Sequence, residues 1–386
     1  MPHRVDYDKN NGARGIDLKG TLRTGGWRGA LPLRGHSWIP LKSLLARRLL
    51  RRPATFTDIS SRSWAISPAE TTSVPEAIYL HDSLARVEGI GISTSRENEL
   101  RRIKGGRMEH APTVAHEIRH AHLLDGSLYK GPWRWLLARG RRPLYSQSDC
   151  LFEKSAILAC TYYGSFYFGH WMREDLSLAM AADGIGKPVT TERAAFRHEP
   201  GYRELFGVDT AAYAACAFES IVVVEDFPQN AFKKKRYDEL RARLAARIPE
   251  SPSRRVYLRR GAIGAQDPRV LMNGEQVESF LAARGFAVVD PDRLSSEEIC
   301  RHLRGARIVV GIEGSHLAHA IYAMASDGVV CALQPPHRFN NVYKDYADCV
   351  GMRYAFVIGV PGSGGFAIAE DDLARTLEKI ERECGV

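Results

Sequence analysis

The regular alternation of strand-like and helix-like segments from residue 254 onward limits the possible folds more than any other feature of the sequence. Apolar runs such as RIVVGI and GVVCALQ predict buried strands, whereas GEQVESFLAARG and EDDLARTLEKIEREC have the spacing of amphipathic helices. Ser295 and Glu298 have the spacing of a capping box, and Gly285 follows a predicted helix at the expected position. Continuous apolar strands joined by helices are typical of a parallel sheet that is covered on both faces. The sequence therefore predicts an α/β fold with a Rossmann-like domain over residues 251–386.

The part of the chain before residue 251 is less regular. Residues 54–145 contain short alternating runs between turn residues, which predict a β-rich segment. Residues 150–250 return to an α/β pattern, with SIVVVEDF as a buried strand and KKKRYDELRARLAARI as an amphipathic helix. We expect one N-terminal domain over residues 53–250, preceded by a basic arm over residues 1–52.

The basic arm carries the whole formal net charge of +9. Residues 1–52 contain twelve Lys or Arg and three Asp, whereas the remainder contains 42 basic and 42 acidic residues. A nucleic-acid enzyme more often spreads basic charge over its body, so we expect no nucleic-acid partner. The end of the arm, LKSLLARRLLRRP, predicts a short helix that either lies on an anionic membrane surface or packs its leucines on the body. Its leucines are Leu41, Leu44, Leu45 and Leu49, and Lys42, Arg47, Arg51 and Arg52 are predicted largely on the other side.

The cysteines and the apolar runs indicate a cytoplasmic location. The seven cysteines are scattered and never spaced as CxxC, which favours a reducing compartment over a disulfide framework or a zinc ribbon. No apolar run approaches the ~18 residues of a membrane span. The N-terminal stretch lacks the apolar core of a secretory signal. If the basic arm binds lipid, the protein would be peripheral at the inner membrane face.

The stretch VVGIEGSHLAHAIYAM, residues 309–324, predicts a strand, a turn and a helix. Ligands of open parallel sheets bind beyond the carboxyl ends of the strands, and helix N-termini attract phosphate. In this turn, Gly314 allows close approach of the backbone, Ser315 can cap the helix or bind a phosphate oxygen, and Glu313 can accept from a sugar hydroxyl. A helix cap with incidental histidines is the alternative. The candidate residues of this corner are Glu313, Gly314, Ser315, His316 and His319.

Two further sets of residues are candidates for chemistry. In YFGHWMRED, His170 and Glu174 are four residues apart and would be neighbours on a helix. Trp171 between them could stack on a sugar ring, or it could belong to the core of an amphipathic helix. Arg259 and Arg260 follow a predicted strand, where paired arginines can clamp a diphosphate.

Two short motifs resemble metal sites. DPD at 290–292 lies just before the capping box, so we interpret it as a turn and expect no metal there. HEIRH at 116–120 matches the HExxH pattern of zinc peptidases, which requires His116 and His120 on one helix. The alternation in IRHAHLL favours a strand instead, so a zinc peptidase is only a distant alternative.

The stretch from RRVYLRR to AHAIYAM resembles the core of glycosyltransferase family 61, and GHWMRED resembles the second signature of that family. Both signatures occur in order, roughly between residues 150 and 345. The family pattern of an arginine followed by Asn-x-Glu falls on Arg269, Asn273 and Glu275. The usual corner, G-x-H-G-A-G-L-x-N, is altered, because Glu313, His316 and His319 replace its histidine, second glycine and asparagine. A corner reading EGSHLAH resembles a bacterial branch linked to capsular and other surface polysaccharides.

The resemblance implies a GT-B architecture, with two Rossmann-like domains and a cleft between them. It implies an inverting glycosyltransferase that moves a sugar from a nucleotide-sugar donor to a glycan or lipid-linked glycan acceptor. His170 and Glu174 would supply the base, whereas Arg259, Arg260, the 314–316 backbone and His316 would stabilise the leaving diphosphate. We expect no cofactor and no essential metal. A non-catalytic protein that binds nucleotide sugars or polysaccharides is the alternative.

Overall fold

A computed structural model describes residues 38–50, 55–92, 94–139, 144–182, 184–260 and 269–386. Of the predicted basic arm, residues 1–37, 51 and 52 lie outside these ranges. Within them, no helix has both the length and the apolar character that crossing a bilayer requires.

The N-terminal half is built on a mixed sheet in the order β6-β5-β4-β10-β7-β8-β9. The long strand β4 pairs with β10 on one side and with β1 and β5 on the other, all antiparallel. From β10 through β7 and β8 to β9 the pairing is parallel. The β-rich segment and the return to an α/β pattern are therefore confirmed. The strands are β1 Arg62–Ser67, β2 Glu70–Val74, β3 Gly106–His110, β4 Thr113–Leu124, β5 Ser127–Lys130, β6 Trp133–Leu136, β7 Leu151–Leu158, β8 Lys187–Thr191, β9 Ala211–Tyr213 and β10 Ala215–Glu225.

Helices cover this sheet and lead into the C-terminal half. Two of the short ones, α4 and α5, are joined by a π-helical segment, Trp171–Asp175, and form one continuous helical stretch. The predicted amphipathic helix after SIVVVEDF is α7, and it packs on helices of both halves. The helices are α1 Ile39–Leu50, α2 Phe56–Ile59, α3 Arg96–Lys104, α4 Phe168–His170, α5 Leu176–Met180, α6 Glu199–Phe206 and α7 Ala231–Arg247, with a 3-10 helix at His81–Arg86.

The C-terminal half contains a five-stranded sheet in the order β12-β11-β13-β14-β15. All of its pairings are parallel, so the predicted parallel sheet is confirmed. Numbered within this half, the order is 2-1-3-4-5, which is a doubly wound arrangement with its switch point between β11 and β13. The strands are β11 Arg255–Leu258, β12 Ala287–Val289, β13 Ile308–Ile312, β14 Val329–Gln334, β15 Arg353–Ile358, β16 Val360–Gly362 and β17 Gly365–Ala367. The helices are α8 Gly274–Ala283, α9 Ser296–Leu303, α10 Ala318–Ala323, α11 Val342–Val350 and α12 Glu370–Cys384, with 3-10 helices at Ser315–Leu317 and Pro336–Arg338.

The two halves share apolar contacts and backbone pairing. Tyr237 of α7 and Tyr322 of α10 lie in the same buried cluster, with ring centroids 5.8 Å apart. The backbone of Ile78 pairs with the edge strand β15, since its N–H donates to Tyr354 at 2.9 Å and its carbonyl accepts from Phe356 at 3.0 Å. Part of the N-terminal half therefore adds to the C-terminal sheet. The domain boundary at residue 250 and the GT-B arrangement remain predictions.

The HEIRH motif lies in strand β4, as its alternation predicted. His116 is buried, and its ring bonds to Ser63 Oγ at 2.9 Å and to Glu225 Oε2 at 3.1 Å. His120 is exposed and has a positive φ of 52°. The zinc-peptidase alternative is wrong, because that chemistry requires both histidines on one face of a helix.

The predicted helix at the end of the basic arm is α1, and it packs on the body only in part. Leu41 and Leu44 are half-buried, but Leu45 and Leu49 are 51% and 83% exposed. The prediction that the leucines share one face and the basic residues the other is wrong, because Lys42 lies in line with Leu45 and Leu49 at helical spacing.

Candidate functional site

The corner after β13 lies at the switch point of the C-terminal sheet. β13 ends at Ile312 and its neighbour β11 at Leu258, so the residues after both strands emerge at the same carboxyl edge, where the register brings Arg260 beside Glu313. The chain then turns through the 3-10 helix Ser315–Leu317 before α10 begins. The predicted long helix is therefore a short one, and its first turn has no side-chain cap, which corrects the capping role given to Ser315.

Glu313 is the carboxylate at the centre of three arginines. Its side chain is 5% exposed, and Oε2 accepts a hydrogen bond from Arg269 Nη1 at 2.7 Å. Arg338 Nε lies 3.8 Å from the same oxygen. The backbone carbonyl of Glu313 accepts from Arg269 Nη1 at 2.6 Å and from Arg260 Nη1 at 3.3 Å. Arg269 and Arg338 thus lie at the carboxylate and Arg260 at the backbone carbonyl, so three guanidinium groups gather at the corner, a grouping suited to an anionic ligand.

Gly314 allows the arginines to lie against the backbone. Its φ is 155°, and a Cβ built there would overlap the guanidinium of Arg260 and lie 2.9 Å from Arg269 Nη1. Burial and the neighbouring Arg269 lower the pKa of Arg260. The role predicted for this glycine, close approach of a charged group to the corner, is thus filled here by arginine side chains.

His316 contributes a neutral ring to the corner. Burial, together with Arg260, His319 and Arg269, lowers its pKa well below the ordinary value, so the imidazole is uncharged at neutral pH. Its Nε2 is buried and bonds to no atom of the described residues. Buried polar atoms without a partner are uncommon and call for an explanation such as a bound water or a catalytic role. The partnerless Nε2 supports the prediction that His316 binds the donor, which remains a prediction.

The second signature forms a hydrogen-bonded pair. His170 Nδ1 lies 2.9 Å from Glu174 Oε1, and Tyr346 donates to the same oxygen at 3.2 Å. The side chains of His170 and Glu174 are 28% and 16% exposed. Burial by itself would raise the pKa of Glu174, but the hydrogen bond and charge of His170 outweigh it and lower the pKa to about 2. Glu174 is therefore a carboxylate at neutral pH.

This state of Glu174 fixes the tautomer of His170. A carboxylate can only accept, so Nδ1 carries the proton and Nε2 carries the lone pair. The ring of His170 lies between Tyr163 and Tyr167, with centroids 5.3 Å and 5.8 Å away. Both tyrosines are exposed, at 43% and 46%. The ring of His170 therefore borders an exposed aromatic surface.

Arg173 holds this pair in place from the buried side. It is 2% exposed, and its Nε donates to the carbonyl of Gly169 at 2.8 Å. Its guanidinium lies over the rings of Tyr343 and Tyr346, at 4.8 Å and 4.0 Å. The π-helical segment places Arg173 inward and Glu174 next to His170 and Tyr346, and such segments occur frequently at functional sites. The alternative that this helix carries Arg173 and Glu174 as solvated charges is wrong.

Gly169 brings the two signatures together. A Cβ at this position would lie 3.0 Å from Ser315 Cα and 3.0 Å from Tyr343 Oη, so the backbones of α4 and the 3-10 turn are nearly in contact. The His170–Glu174 pair and the arginine cluster therefore flank one contact point.

Asp175, the residue after Glu174, is a buried acid whose pKa is shifted in the opposite direction. Its Oδ1 accepts from the backbone N–H and the hydroxyl of Thr161, at 3.0 Å and 2.9 Å. Its Oδ2 is buried and bonds to no atom of the described residues. Burial raises the pKa of this carboxyl well above the ordinary value.

Several predicted site residues have other partners. Arg259 bonds to Glu278 through three hydrogen bonds of 2.6 to 2.9 Å and to Asp290 at 3.4 Å, so it does not form a clamp with Arg260. Asn273 bonds in both directions with the backbone of Ile368, at 2.8 Å and 3.0 Å. Glu275 is exposed.

Trp171 and His319 were candidates for contact with ligand, but in the structure both rings pack in the protein interior. Trp171 is 1% exposed and belongs to the core, so it has no face for a sugar ring. His319 is 2% exposed, and its Nδ1 bonds to the hydroxyl of Tyr202 at 2.5 Å. Burial lowers its pKa well below the ordinary value. Both residues support the site from behind.

The DPD motif lies in the turn after β12, as its sequence context predicted. Asp290 accepts from the backbone N–H of Asp292 at 3.1 Å and pairs with Arg259 and Arg293 at 3.4 Å each. In the described part of the chain, no three acidic, histidine or cysteine residues converge on a point that could hold a metal ion.

Sequence reasoning missed Arg338, Arg173 and Tyr346. Arg338 follows β14, the neighbour of β13, so the rule that ligands bind beyond adjacent strand ends could have found it. Arg173 and Tyr346 gave no such signal, because their roles depend on how α11 packs against the π-helical segment.

No curated protein sequence matches the chain. Residues 168–331 match the model of the family described as Glycosyltransferase 61. This segment covers less than half of the chain and contains both the His170–Glu174 pair and the corner at Glu313. The match supports the family resemblance and, with it, glycosyltransferase activity in general.

Proposed function

We propose that the protein is an inverting glycosyltransferase in which His170 is the general base and the arginine cluster binds the diphosphate of a nucleotide-sugar donor. The observation that carries this proposal is the near contact of Gly169 with Ser315, which holds the base and the cationic corner side by side.

The proposed base acts through Nε2. As the acceptor hydroxyl oxygen attacks the anomeric carbon of the donor sugar, its proton moves to the lone pair of Nε2. Glu174 accepts a hydrogen bond from Nδ1–H and stabilises the imidazolium that forms, in the manner of a carboxylate that orients a histidine base. Tyr346 and Arg173 keep Glu174 and the turn at Gly169 in position.

The leaving group is the nucleoside diphosphate. When the bond between the anomeric carbon and the diphosphate oxygen breaks, its electron pair stays on the diphosphate. Arg260, Arg269 and Arg338 gather at the corner, and in this proposal their guanidinium groups bind the diphosphate as its charge develops. Fixed cations of this kind can stabilise a leaving diphosphate, so we propose that the transfer does not depend on a divalent metal.

The acceptor would approach from the side of Tyr163 and Tyr167. These exposed rings flank the base, and aromatic faces offer apolar area to the C–H face of a sugar. The altered corner resembles sequences linked to surface polysaccharides, so we propose a glycan or lipid-linked glycan acceptor in the cytoplasm.

A screen of UDP- and CMP-linked sugars by calorimetry, followed by a transfer assay, tests the proposal. We expect His170→Ala to lower kcat by at least ~10²-fold, the usual contribution of a general base, while donor affinity is retained. His302→Ala, at an exposed position of α9, is the matched control and should behave as the wild type. A near-normal kcat for His170→Ala would contradict the assignment of the base. Donor binding by the wild-type protein without any transfer would favour the non-catalytic alternative.

A further inference from the structure

An exposed apolar stripe runs along α1. Trp38, which precedes the helix, and Leu45 and Leu49 recur at helical spacing and are 52%, 51% and 83% exposed. The opposite side of the helix faces the body, where Ser43 donates to the carbonyl of Pro132 at 2.9 Å. The packing that holds α1 on β5 and β6 therefore uses one side and leaves the stripe outside.

The stripe continues onto a neighbouring segment. Leu144 and Tyr145 are 54% and 38% exposed. The carbonyl of Leu144 accepts from the N–H of Leu41 at 3.0 Å, and the ring of Tyr145 lies 5.4 Å from that of Trp38. The apolar surface is thus about 16 Å long, since it spans eleven residues of helix and the adjoining loop.

Positive charge borders this surface on both sides. At 3.6 residues per turn, Lys42 projects about 40° to one side of the Leu45–Leu49 line and Arg48 about 80° to the other. Arg47 is exposed too, but it projects from the side of the helix opposite the stripe, and α1 contains no acidic residue. Apolar and basic side chains are therefore presented together, in a helix that is itself anchored to the protein.

We infer that this surface docks the protein onto an anionic lipid bilayer. Leucines that insert between acyl chains, flanking lysine and arginine, and aromatic rings at headgroup depth are the features by which interfacial helices bind membranes. A purely apolar protein partner would leave Lys42 and Arg48 unmatched, whereas phosphate headgroups pair with both. The inference is independent of the proposed function, because it concerns α1 and not the corner or the base.

Vesicle sedimentation with the full chain tests the inference, using phosphatidylcholine vesicles with and without phosphatidylglycerol. One variant combines Leu45→Ser with Leu49→Ser, and another combines Lys42→Gln with Arg48→Gln. We expect the leucine variant to bind anionic vesicles at least about tenfold more weakly. We expect about a 30-fold loss for the charge variant, since each basic residue near an anionic surface contributes about fivefold. Deleting residues 1–52 is a poorer test, because it also removes the contacts of α1 with the body.

Matched controls exist at the other end of β10. α1 packs near Ala215, at the start of this strand, because Ile39 contacts the cluster that contains Ala215. Phe227, 71% exposed, lies beyond the other end, roughly 34 Å along the strand. Phe227→Ser and the pair Lys234→Gln with Lys235→Gln remove similar side chains there and should leave vesicle binding unchanged.

Three results would overturn the inference. The first is vesicle binding by both α1 variants that equals that of the wild type, with folding verified by circular dichroism. The second is equal binding to vesicles with and without phosphatidylglycerol. The third is a dimer in sedimentation velocity that the leucine variant abolishes, which would identify a second copy of the chain as the occupant.

Discussion

Replacing Glu313 by glutamine tests whether this carboxylate is the internal counter-ion of the arginine cluster. The sequence suggested that Glu313 accepts a hydrogen bond from a sugar hydroxyl of the ligand. In the structure the Glu313 side chain is 5% exposed and pairs with Arg269, itself 12% exposed, at 2.7 Å. Removing one partner of a buried ion pair costs about 3–5 kcal/mol, because the other charge is left uncompensated. Arg269 and Arg338 retain some contact with water, so we expect a loss of about 3 kcal/mol in unfolding free energy.

The assay is urea denaturation of Glu313→Gln and wild type, with and without inorganic diphosphate. The anion should replace the missing carboxylate, so the variant should gain more stability from saturating diphosphate than the wild type does. It should also bind diphosphate more tightly, because Arg269 is no longer occupied by an internal acceptor. Glu275→Gln, at an exposed position near the same strand edge, should change stability by no more than about 0.5 kcal/mol.

Two outcomes separate this reasoning from the role that the sequence suggested. If Glu313→Gln is as stable as the wild type, the carboxylate does not neutralise the arginines. If diphosphate affinity stays unchanged while nucleotide-sugar affinity falls, Glu313 accepts from a sugar hydroxyl instead.

Four other perturbations follow from the site. Glu174→Gln should lower kcat. It should also make the unfolding free energy less dependent on pH in acid, because the lowered pKa of Glu174, about 2, stabilises the folded wild type above the ordinary pKa of 4.5, and this stabilisation is lost as the pH falls through about 2. Asp175→Asn should stabilise the protein by at least about 1 kcal/mol at neutral pH, because the raised pKa makes ionisation of this buried acid unfavourable. Below the ordinary pKa of 3.8 the substitution should have no such effect, and equal denaturation midpoints of variant and wild type at pH 7 would contradict the prediction. Tyr163→Ala and Tyr167→Ala should raise the acceptor KM in the transfer assay and leave donor affinity by calorimetry unchanged. Transfer should survive treatment with EDTA, and loss of activity that Mn²⁺ or Mg²⁺ restores would refute the metal-independent mechanism.

The C-terminal half was predictable because its elements are specified locally. The capping box of Ser295 and Glu298 is present, Gly285 has the positive φ of 79° that follows a helix, and the apolar runs are buried parallel strands. Periodicity and caps act within one segment, so one segment is enough to read them. The strand order, and with it the switch point, required the structure.

The site was harder to predict, because most of its roles depend on contacts between segments far apart in sequence. Arg259 and Arg260 are adjacent in the chain, yet one bonds to Glu278 and the other to the corner. Glu313 looked like an acceptor for ligand because its partner Arg269 is 44 residues away. The sequence left open whether Trp171 stacks on a sugar or belongs to the core, and packing against the core buries both it and Arg173.

Gly169 brings the proposed base and the corner close together. The base belongs to a helical stretch after β7 of the first sheet, whereas the corner belongs to the carboxyl edge of the second sheet. Their backbones approach so closely that a methyl group at position 169 would lie 3.0 Å from Ser315 Cα. Arg173 reinforces this approach from beneath, since it binds the carbonyl of Gly169 and lies over Tyr343, whose hydroxyl is at the same contact. Transfer chemistry needs a base and a leaving-group site within one sugar ring of each other, and this contact supplies that proximity without a flexible link.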